Sequence, residues 1–89
     1  MLEKKVTIVN KLGLHARPAV MLVKTASEFE ADVKLAKGTT TVDAKSIMGI
    51  LILAAGQGSI LTIITDGRDE KDAMDAVVKL FEDGFGEDQ

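Results

Sequence analysis

The sequence predicts an α+β sandwich in which helices cover one face of a mainly antiparallel sheet. Two observations lead to this fold class. Apolar residues switch between a spacing of two and a helical spacing in the order β-α-β-β-(α or β)-β-α. The 89 residues are 46% hydrophobic and 28% charged, which is typical of a folded chain, and we expect one domain over residues 1–89.

The first half of the chain begins with a strand and continues with a helix. Apolar and polar residues alternate over residues 2–8, as in a half-buried strand. From Ala16 the spacing becomes helical, and Pro18 suits a first turn because the N–H that proline lacks has no intrahelical partner there. We therefore expect this helix to begin at residues 15–17. Its predicted core-facing residues are Ala16, Ala19, Leu22, Val23, Ala26 and Phe29.

A hairpin and an ambiguous segment follow. Strands are predicted at residues 31–35 and 39–44, joined by a turn at Lys37-Gly38. The continuous apolar run over residues 47–55 fits a buried strand or a helix equally well, because the run has no clear period. Ser46 is placed to cap the run if it is helical.

The last part of the chain contains a strand and a helix. Residues 60–65 carry apolar side chains on both faces of the predicted strand, as a central strand does. Asp69 is a suitable N-cap for a final helix that we expect to stop near Gly84. The predicted buried face of that helix consists of Ala73, Val77, Leu80 and Phe81.

Composition excludes several classes of function. The chain has no Cys, so disulfides and thiolate metal sites are ruled out, and no metal or cofactor is expected. Nucleic-acid binding is not expected, because three Phe are the only aromatic residues and there is no dense Lys/Arg stripe. The charged start and the lack of a long apolar run predict neither a signal peptide nor a membrane span, hence a cytoplasmic protein.

Charge is distributed unevenly along the chain. Residues 1–65 carry eight Lys and Arg against five Asp and Glu, whereas residues 66–89 carry three against nine. A mildly basic body suits docking onto an acidic protein surface.

The single histidine, His15, is the strongest candidate for a functional residue. It precedes Arg17 at the predicted start of a helix, where amides such as that of Ala16 lack intrahelical acceptors and attract anions. The Arg17 guanidinium matches the geometry of phosphate oxygens. This positive environment disfavours the protonated ring and so favours the nucleophilic, neutral form. The residues are consistent with reversible phosphorylation of His15.

Other roles for a lone histidine are common and have to be compared with this one. Most single histidines are surface residues or hydrogen-bonded core residues. A metal site is unfavourable, because one imidazole without Cys or a nearby carboxylate cluster cannot complete a coordination shell. Hydrolysis is also unfavourable, because no carboxylate or second base lies near His15 in the sequence to orient its ring.

Two motifs resemble one protein family over essentially the whole chain. Residues 10–19, Asn-Lys-Leu-Gly-Leu-His-Ala-Arg-Pro-Ala, resemble the active-site signature of the HPr family, the histidine phosphocarriers of the bacterial phosphotransferase system. Residues 44–50, Ala-Lys-Ser-Ile-Met-Gly-Ile, resemble the regulatory serine segment of that family. The resemblance implies an open-faced βαββαβα sandwich, with four antiparallel strands and three helices on one face. It also implies that residues 47–53 form a short helix.

The family resemblance implies specific roles and partners. His15 would accept phosphate on Nδ1 from phosphorylated enzyme I and donate it to enzyme IIA domains for sugar uptake. Arg17 and the main-chain N–H of Ala16 would hold the phosphoryl group. Ser46 would be phosphorylated by an HPr kinase/phosphorylase, and the phosphoserine form would bind a catabolite-control transcription regulator. The protein would be a monomeric carrier and not a stand-alone enzyme.

Helical geometry predicts a docking surface near His15. Val20 lies at the edge of the core-facing stripe of the first helix, and Met21 lies nearly opposite that stripe. Scattered exposed apolar residues are ordinary, but a contiguous group of them marks an interface. The proposed patch, with its basic rim, consists of Val20, Met21, Lys24, Lys45, Ile47, Met48 and Leu51.

Three other functions remain open at the level of sequence. A nitrogen-branch phosphocarrier would use the same chemistry with different partners. A regulatory HPr-like binding module would act through Ser46 alone, which the presence of His15 and Arg17 disfavours. An unrelated small enzyme with His15 as general base has little support.

Overall fold

The computed structural model describes residues 1–87 and contains the elements in the predicted order. The elements are β1 (Leu2–Thr7), α1 (Ala16–Ser27), β2 (Asp32–Lys37), β3 (Thr40–Asp43), α2 (Ile47–Ile52), β4 (Ile60–Asp66) and α3 (Glu70–Glu82), followed by a 3-10 turn at Gly84–Gly86. The ambiguous apolar run therefore forms a short helix. Within residues 1–87, every helix is too short or too polar to cross a bilayer.

The four strands form one antiparallel sheet in the order β1-β4-β2-β3. β4 is central, as its sequence predicts, and Leu61 and Ile63 are buried on the face that the helices cover. The opposite face carries no layer of helices, so Ile60 at the start of β4 is 61% exposed. The α+β open-faced sandwich is thus confirmed, with three helices on one face.

The core lies between the sheet and the helices. From α1 it takes Ala19, Leu22 and Ala26, which are fully buried. Three residues differ from the predicted stripe. Ala16 is exposed because it lies in the first turn at the protein surface, Val23 is half-buried at the edge of the core, and Phe29 lies beyond the end of α1 and is half-buried. On α3, Ala73, Val77 and Phe81 are buried as predicted, Met74 and Val78 widen the buried face, and Leu80 is only half-buried at its edge.

Asp69 has a different role from the predicted one. It occupies the N-cap position of α3, but its side chain makes no capping hydrogen bond. Its carboxylate instead accepts hydrogen bonds from the backbone N–H groups of Glu30, at 3.0 Å, and Ala31, at 2.8 Å. Asp69 therefore joins the start of α3 to the connection between α1 and β2, and the prediction of a side-chain cap was wrong.

Candidate functional site

His15 is the N-cap residue of α1 and has an extended backbone, with φ −80° and ψ −169°. Its carbonyl oxygen accepts the first helical hydrogen bond, from Ala19 N–H at 3.1 Å, and its side chain is 36% exposed. Ala16 and Arg17 are the first two helical residues, so their amides belong to the group that lacks intrahelical acceptors. The helix begins where the sequence predicts, and His15 lies at its positive end.

The loop before His15 is held in place by buried polar contacts. Asn10 is fully buried, and its Nδ2 donates to the carbonyl oxygen of Gly13 at 2.8 Å. Leu14 is buried too, and its N–H donates to the carbonyl oxygen of Ala55 at 2.9 Å. These contacts fix the position of the histidine backbone without involving the ring.

A carboxylate from the other end of the chain contacts the histidine ring. Glu87 Oε2 lies 2.8 Å from His15 Nε2, and Glu87 Oε1 accepts a hydrogen bond from Asn10 Nδ2 at 2.9 Å. The Glu87 side chain is only 12% exposed. The hydrogen bond from Asn10, aided by the bond to His15 and the charge of Arg17, holds the pKa of Glu87 below its ordinary value. Glu87 is therefore ionised at neutral pH.

No carboxylate lies near His15 in the sequence, but the fold brings one to its ring. Glu87 is 72 residues away in sequence, and no local pattern marks it. The only sequence signal was general, namely the excess of acidic residues after residue 65. One imidazole and one carboxylate still fall short of a metal site, and residues 1–87 contain no cluster of three or more such ligands.

Arg17 lies beside the ring with its guanidinium largely in solvent. The side chain is 64% exposed, and Nη1 is 3.8 Å from Glu87 Oε2. At this distance Arg17 forms an ion pair without a close hydrogen bond, so its donors are available to a bound anion. His15, Arg17 and the amide of Ala16 thus lie together at the start of α1, as the sequence predicts.

Ser46 is the N-cap of α2. Its backbone is extended, and its Oγ accepts a hydrogen bond from Gly49 N–H at 3.1 Å. The side chain is half-buried, and α1 and α2 pack against each other. The structural role expected of Ser46 is thereby confirmed, whereas its phosphorylation remains a prediction.

The predicted docking patch is exposed at most of its apolar positions. Val20 is 42% exposed, Met48 is 67% exposed, and Ile47 and Leu51 are also exposed. Met21 differs from the prediction, because it is half-buried and packs against the core. Two further exposed apolar residues were missed, Leu12 in the loop before His15 and Ile52 at the end of α2.

The two lysines of the predicted basic rim differ in their surroundings. Lys24 lies on the exposed side of α1. Lys45 is half-buried, and its Nζ donates to the carbonyl oxygen of Phe29 at 2.9 Å. Lys45 therefore links the start of α2 to the end of α1, and Lys24 is the freer of the two charges.

Comparison with known proteins agrees with this architecture. The family model described as "PTS HPr component phosphorylation site" matches residues 2–83. The phosphocarrier protein HPr of Cupriavidus necator is 52% identical over 87 residues, covering 98% of each chain. The crystal structure of HPr-C-His from Thermoanaerobacter tengcongensis superposes with a TM-score of 0.96, at 45% identity and with full coverage of both chains.

Overall similarity does not separate HPr proteins from the related Crh and NPr proteins, because relatives with all three names match this chain about equally well. The HPr-like protein Crh of Halalkalibacterium halodurans is 45% identical over 82 residues, covering 92% of this chain and 98% of Crh. The phosphocarrier protein NPr of Shewanella violacea is 43% identical over 86 residues, covering 97% of this chain and 94% of NPr. The motifs, the fold and the family match nevertheless agree, and the chain belongs to the HPr phosphocarrier family of the phosphotransferase system.

Proposed function

We propose that this protein carries a phosphoryl group on His15, accepting it from phosphorylated enzyme I and donating it to enzyme IIA domains for sugar uptake. The observation that carries the proposal is the position of His15 at the start of α1 beside Arg17. A helix start and a guanidinium together stabilise a dianion. No metal or cofactor is required, and we place the protein in the cytoplasm as a monomer.

The proposed reaction is an exchange of bonds at phosphorus. The lone pair on His15 Nδ1 forms a bond to phosphorus while the bond between phosphorus and the donor group of enzyme I breaks, and that electron pair leaves with the donor. Arg17 and the amide of Ala16 would bind the phosphoryl oxygens. Transfer to an enzyme IIA domain is the same exchange with His15 as the leaving group. The protein supplies position and charge and does not turn over substrate by itself.

The exposed apolar residues beside the site suit transient docking of both partners. Val20, Ile47, Met48 and Leu51 would form the apolar centre. Lys24 would add positive charge at the rim, where it speeds encounter with an acidic partner more than it strengthens the complex.

Phosphoenolpyruvate and enzyme I together test the carrier function. We expect an acid-labile phosphate on the wild type and none on H15A. R17A should take up phosphate at least tenfold more slowly, because a charge-assisted hydrogen bond contributes about 1.5–3 kcal/mol. R68A is the matched control, since Arg68 is 80% exposed and pairs with Glu30 away from the site. An unlabelled wild type, or labelled H15A, would refute the carrier function.

We also propose that Ser46 is a regulatory phosphorylation site for an HPr kinase/phosphorylase, and that the phosphorylated form binds a catabolite-control transcription regulator. A phosphate at a helix start is electrostatically favourable, and Ser46 already holds that position in α2. Incubation with ATP and the kinase should label the wild type and S27A, a control in exposed Ser27, but not S46A. Equal labelling of S46A would exclude Ser46 as the site.

A nitrogen-branch carrier is the second candidate function, favoured by the similarity to NPr. Its chemistry at His15 would be identical, so the choice depends on partners. Phosphoryl transfer rates from sugar-branch and nitrogen-branch enzyme I, measured side by side, decide between the two. Faster transfer from the nitrogen-branch enzyme would replace the sugar-uptake assignment while leaving the carrier chemistry intact.

A further inference from the structure

The C-terminal segment Gly84–Glu87 returns to the start of α1 and brings a carboxylate to the histidine ring. We propose that Glu87 is a positioning residue for His15: it holds the hydrogen of the neutral ring on Nε2, leaves Nδ1 as the nucleophile, and stabilises the charge that develops on the ring during transfer. This inference rests on the proposed carrier function, which it deepens.

The segment that carries Glu87 is anchored by a buried aromatic ring. Phe85 is 1% exposed and packs edge-on against Phe81, with ring centroids 5.0 Å apart. Phe85 adopts a left-handed backbone, with φ 56°, between Gly84 and Gly86, which also have positive φ. Non-glycine residues adopt this conformation only where surrounding contacts compensate for it. The position of Glu87 is thus determined by packing and does not depend on its own side-chain contacts alone.

The carboxylate of Glu87 is occupied at both oxygens by different donors. Oε1 accepts from Asn10 Nδ2 at 2.9 Å, and Oε2 lies 2.8 Å from His15 Nε2. An ionised carboxylate can only accept hydrogen bonds, so Nε2 must carry a hydrogen. In a neutral imidazole the other nitrogen, Nδ1, then holds the lone pair. Among residues 1–87, the hydrogen bond at Nε2 is the one that the ring makes.

Glu87 also lies where it can stabilise the reacting ring. When the Nδ1 lone pair bonds to phosphorus, positive charge spreads over the imidazole and reaches the Nε2–H group. A carboxylate at 2.8 Å stabilises that charge, in the manner of the acid that orients the histidine in a catalytic triad. The Arg17 guanidinium, whose Nη1 is 3.8 Å from the same oxygen, offsets part of the repulsion between the carboxylate and a phosphoryl group.

The test compares E87A and E87Q with the wild type, with E82Q as the matched control. Glu82 is an exposed carboxylate at the end of α3, five residues before Glu87. The E87Q substitution keeps the volume of the side chain, but the single carbonyl oxygen of the new amide cannot serve both Asn10 and His15, and the amide carries no charge. A role limited to filling space would therefore leave E87Q like the wild type.

Two measurements are made on each full-length variant. Nitrogen-15 NMR of the ring, at a pH where it is neutral, reports which nitrogen carries hydrogen. We expect the Nε2–H form in the wild type and in E82Q, and a mixture of the two forms in E87A. The initial rate of phosphorylation by phosphorylated enzyme I should fall about tenfold in E87A and by an intermediate factor in E87Q, as expected for loss of one charge-assisted hydrogen bond.

The outcomes separate this inference from the function on which it rests. If E87A keeps wild-type ring shifts or a wild-type rate, or if E87Q matches the wild type in rate, the positioning role is overturned even though His15 is phosphorylated. If the wild type takes up no phosphate, the carrier function fails by itself, because the ring shifts are measured without enzyme I. The backbone NMR spectrum of each variant confirms that it is folded.

Discussion

Gly13 allows the loop that presents His15 to lie directly against the backbone near Ala55. Its φ of +67° is in the left-handed region, and a Cβ added there would lie 2.7 Å from Gly56 Cα. Gly38, in the turn between β2 and β3, has a similar φ of +58° but open space around it. Conformational freedom is needed at both positions, whereas the absence of a side chain is needed only at Gly13.

The two glycines permit a matched prediction. G38A should lower the free energy of unfolding by about 1 kcal/mol, the cost of placing alanine in the left-handed region. G13A should lower it by about 3 kcal/mol or more, because the clash with backbone atoms is added to that cost. Urea unfolding measures both values. Equal losses in the two variants would mean that the loop can move away from residues 55–56.

Residue chemistry also explains why two lysines predicted on one rim have different roles. Lys45 donates to the carbonyl oxygen of Phe29, which lies just after α1, while Lys24 remains in solvent. Sequence spacing cannot distinguish them, because the acceptor for Lys45 lies on another element. Met21 is a similar case, since its half-burial depends on neighbours outside α1.

At the scale of the elements, the connection before α3 is fixed by a carboxylate. The N–H groups of Glu30, in the first place, and of Ala31 hold the pKa of Asp69 below its ordinary value of 3.8. Because the folded pKa is lower than the unfolded one, Asp69 stabilises the fold above its unfolded pKa. That contribution is lost as the pH falls through the lower, folded value.

D69N should therefore be less stable than the wild type at neutral pH, and the difference should shrink as the pH falls below 3.8, the ordinary value. The Asn amide has one acceptor oxygen and cannot serve both backbone donors as the carboxylate does. Thermal unfolding measured at several pH values checks this. D72N removes an exposed carboxylate from the first turn of α3 and is the control for the loss of one negative charge at this helix start. A difference independent of pH would contradict the assignment.

At the scale of the whole molecule, the segment after α3 meets the loop before α1 at the site, and Phe85 anchors that segment. The ring of Phe85 is part of the core, and the residues that follow it reach the loop at Asn10. Residues 10 and 87 are 77 positions apart, so this contact joins two segments that are separated by most of the chain. The stability of the fold and the position of Glu87 are therefore coupled.

F85A should lower the free energy of unfolding by about 3 kcal/mol, the usual cost of truncating a buried Phe. It should also shift the His15 ring signals toward those of E87A, because Glu87 loses its anchor. Urea unfolding and ring NMR measure the two effects. F29A, at a half-buried position, should lose less stability and leave the ring unchanged. A loss below about 1 kcal/mol would show that Phe85 does not anchor the segment.

The sequence by itself determined the order of the elements, the start of α1 at His15, the capping position of Ser46 and the central place of β4. Each of these depends on spacing within one element or on a residue type at a helix end. The exception is the apolar run over residues 47–55, which was assigned to a helix by the family resemblance because its own sequence has no clear period. Local chemistry also predicts a phosphate site at His15 and Arg17, whereas the transfer partners and the phosphorylation of Ser46 come from the family resemblance.

Only the tertiary structure decided which residues that are distant in sequence contact each other. Glu87 contacts His15 across 72 residues, and Asp69 bonds to a loop instead of capping its own helix. No pattern in the sequence indicates either contact, because the partners lie on separate elements and meet only after those elements pack on the sheet. His15 was identified from its neighbours in sequence, but the state of its ring depends on a residue that folding brings to it.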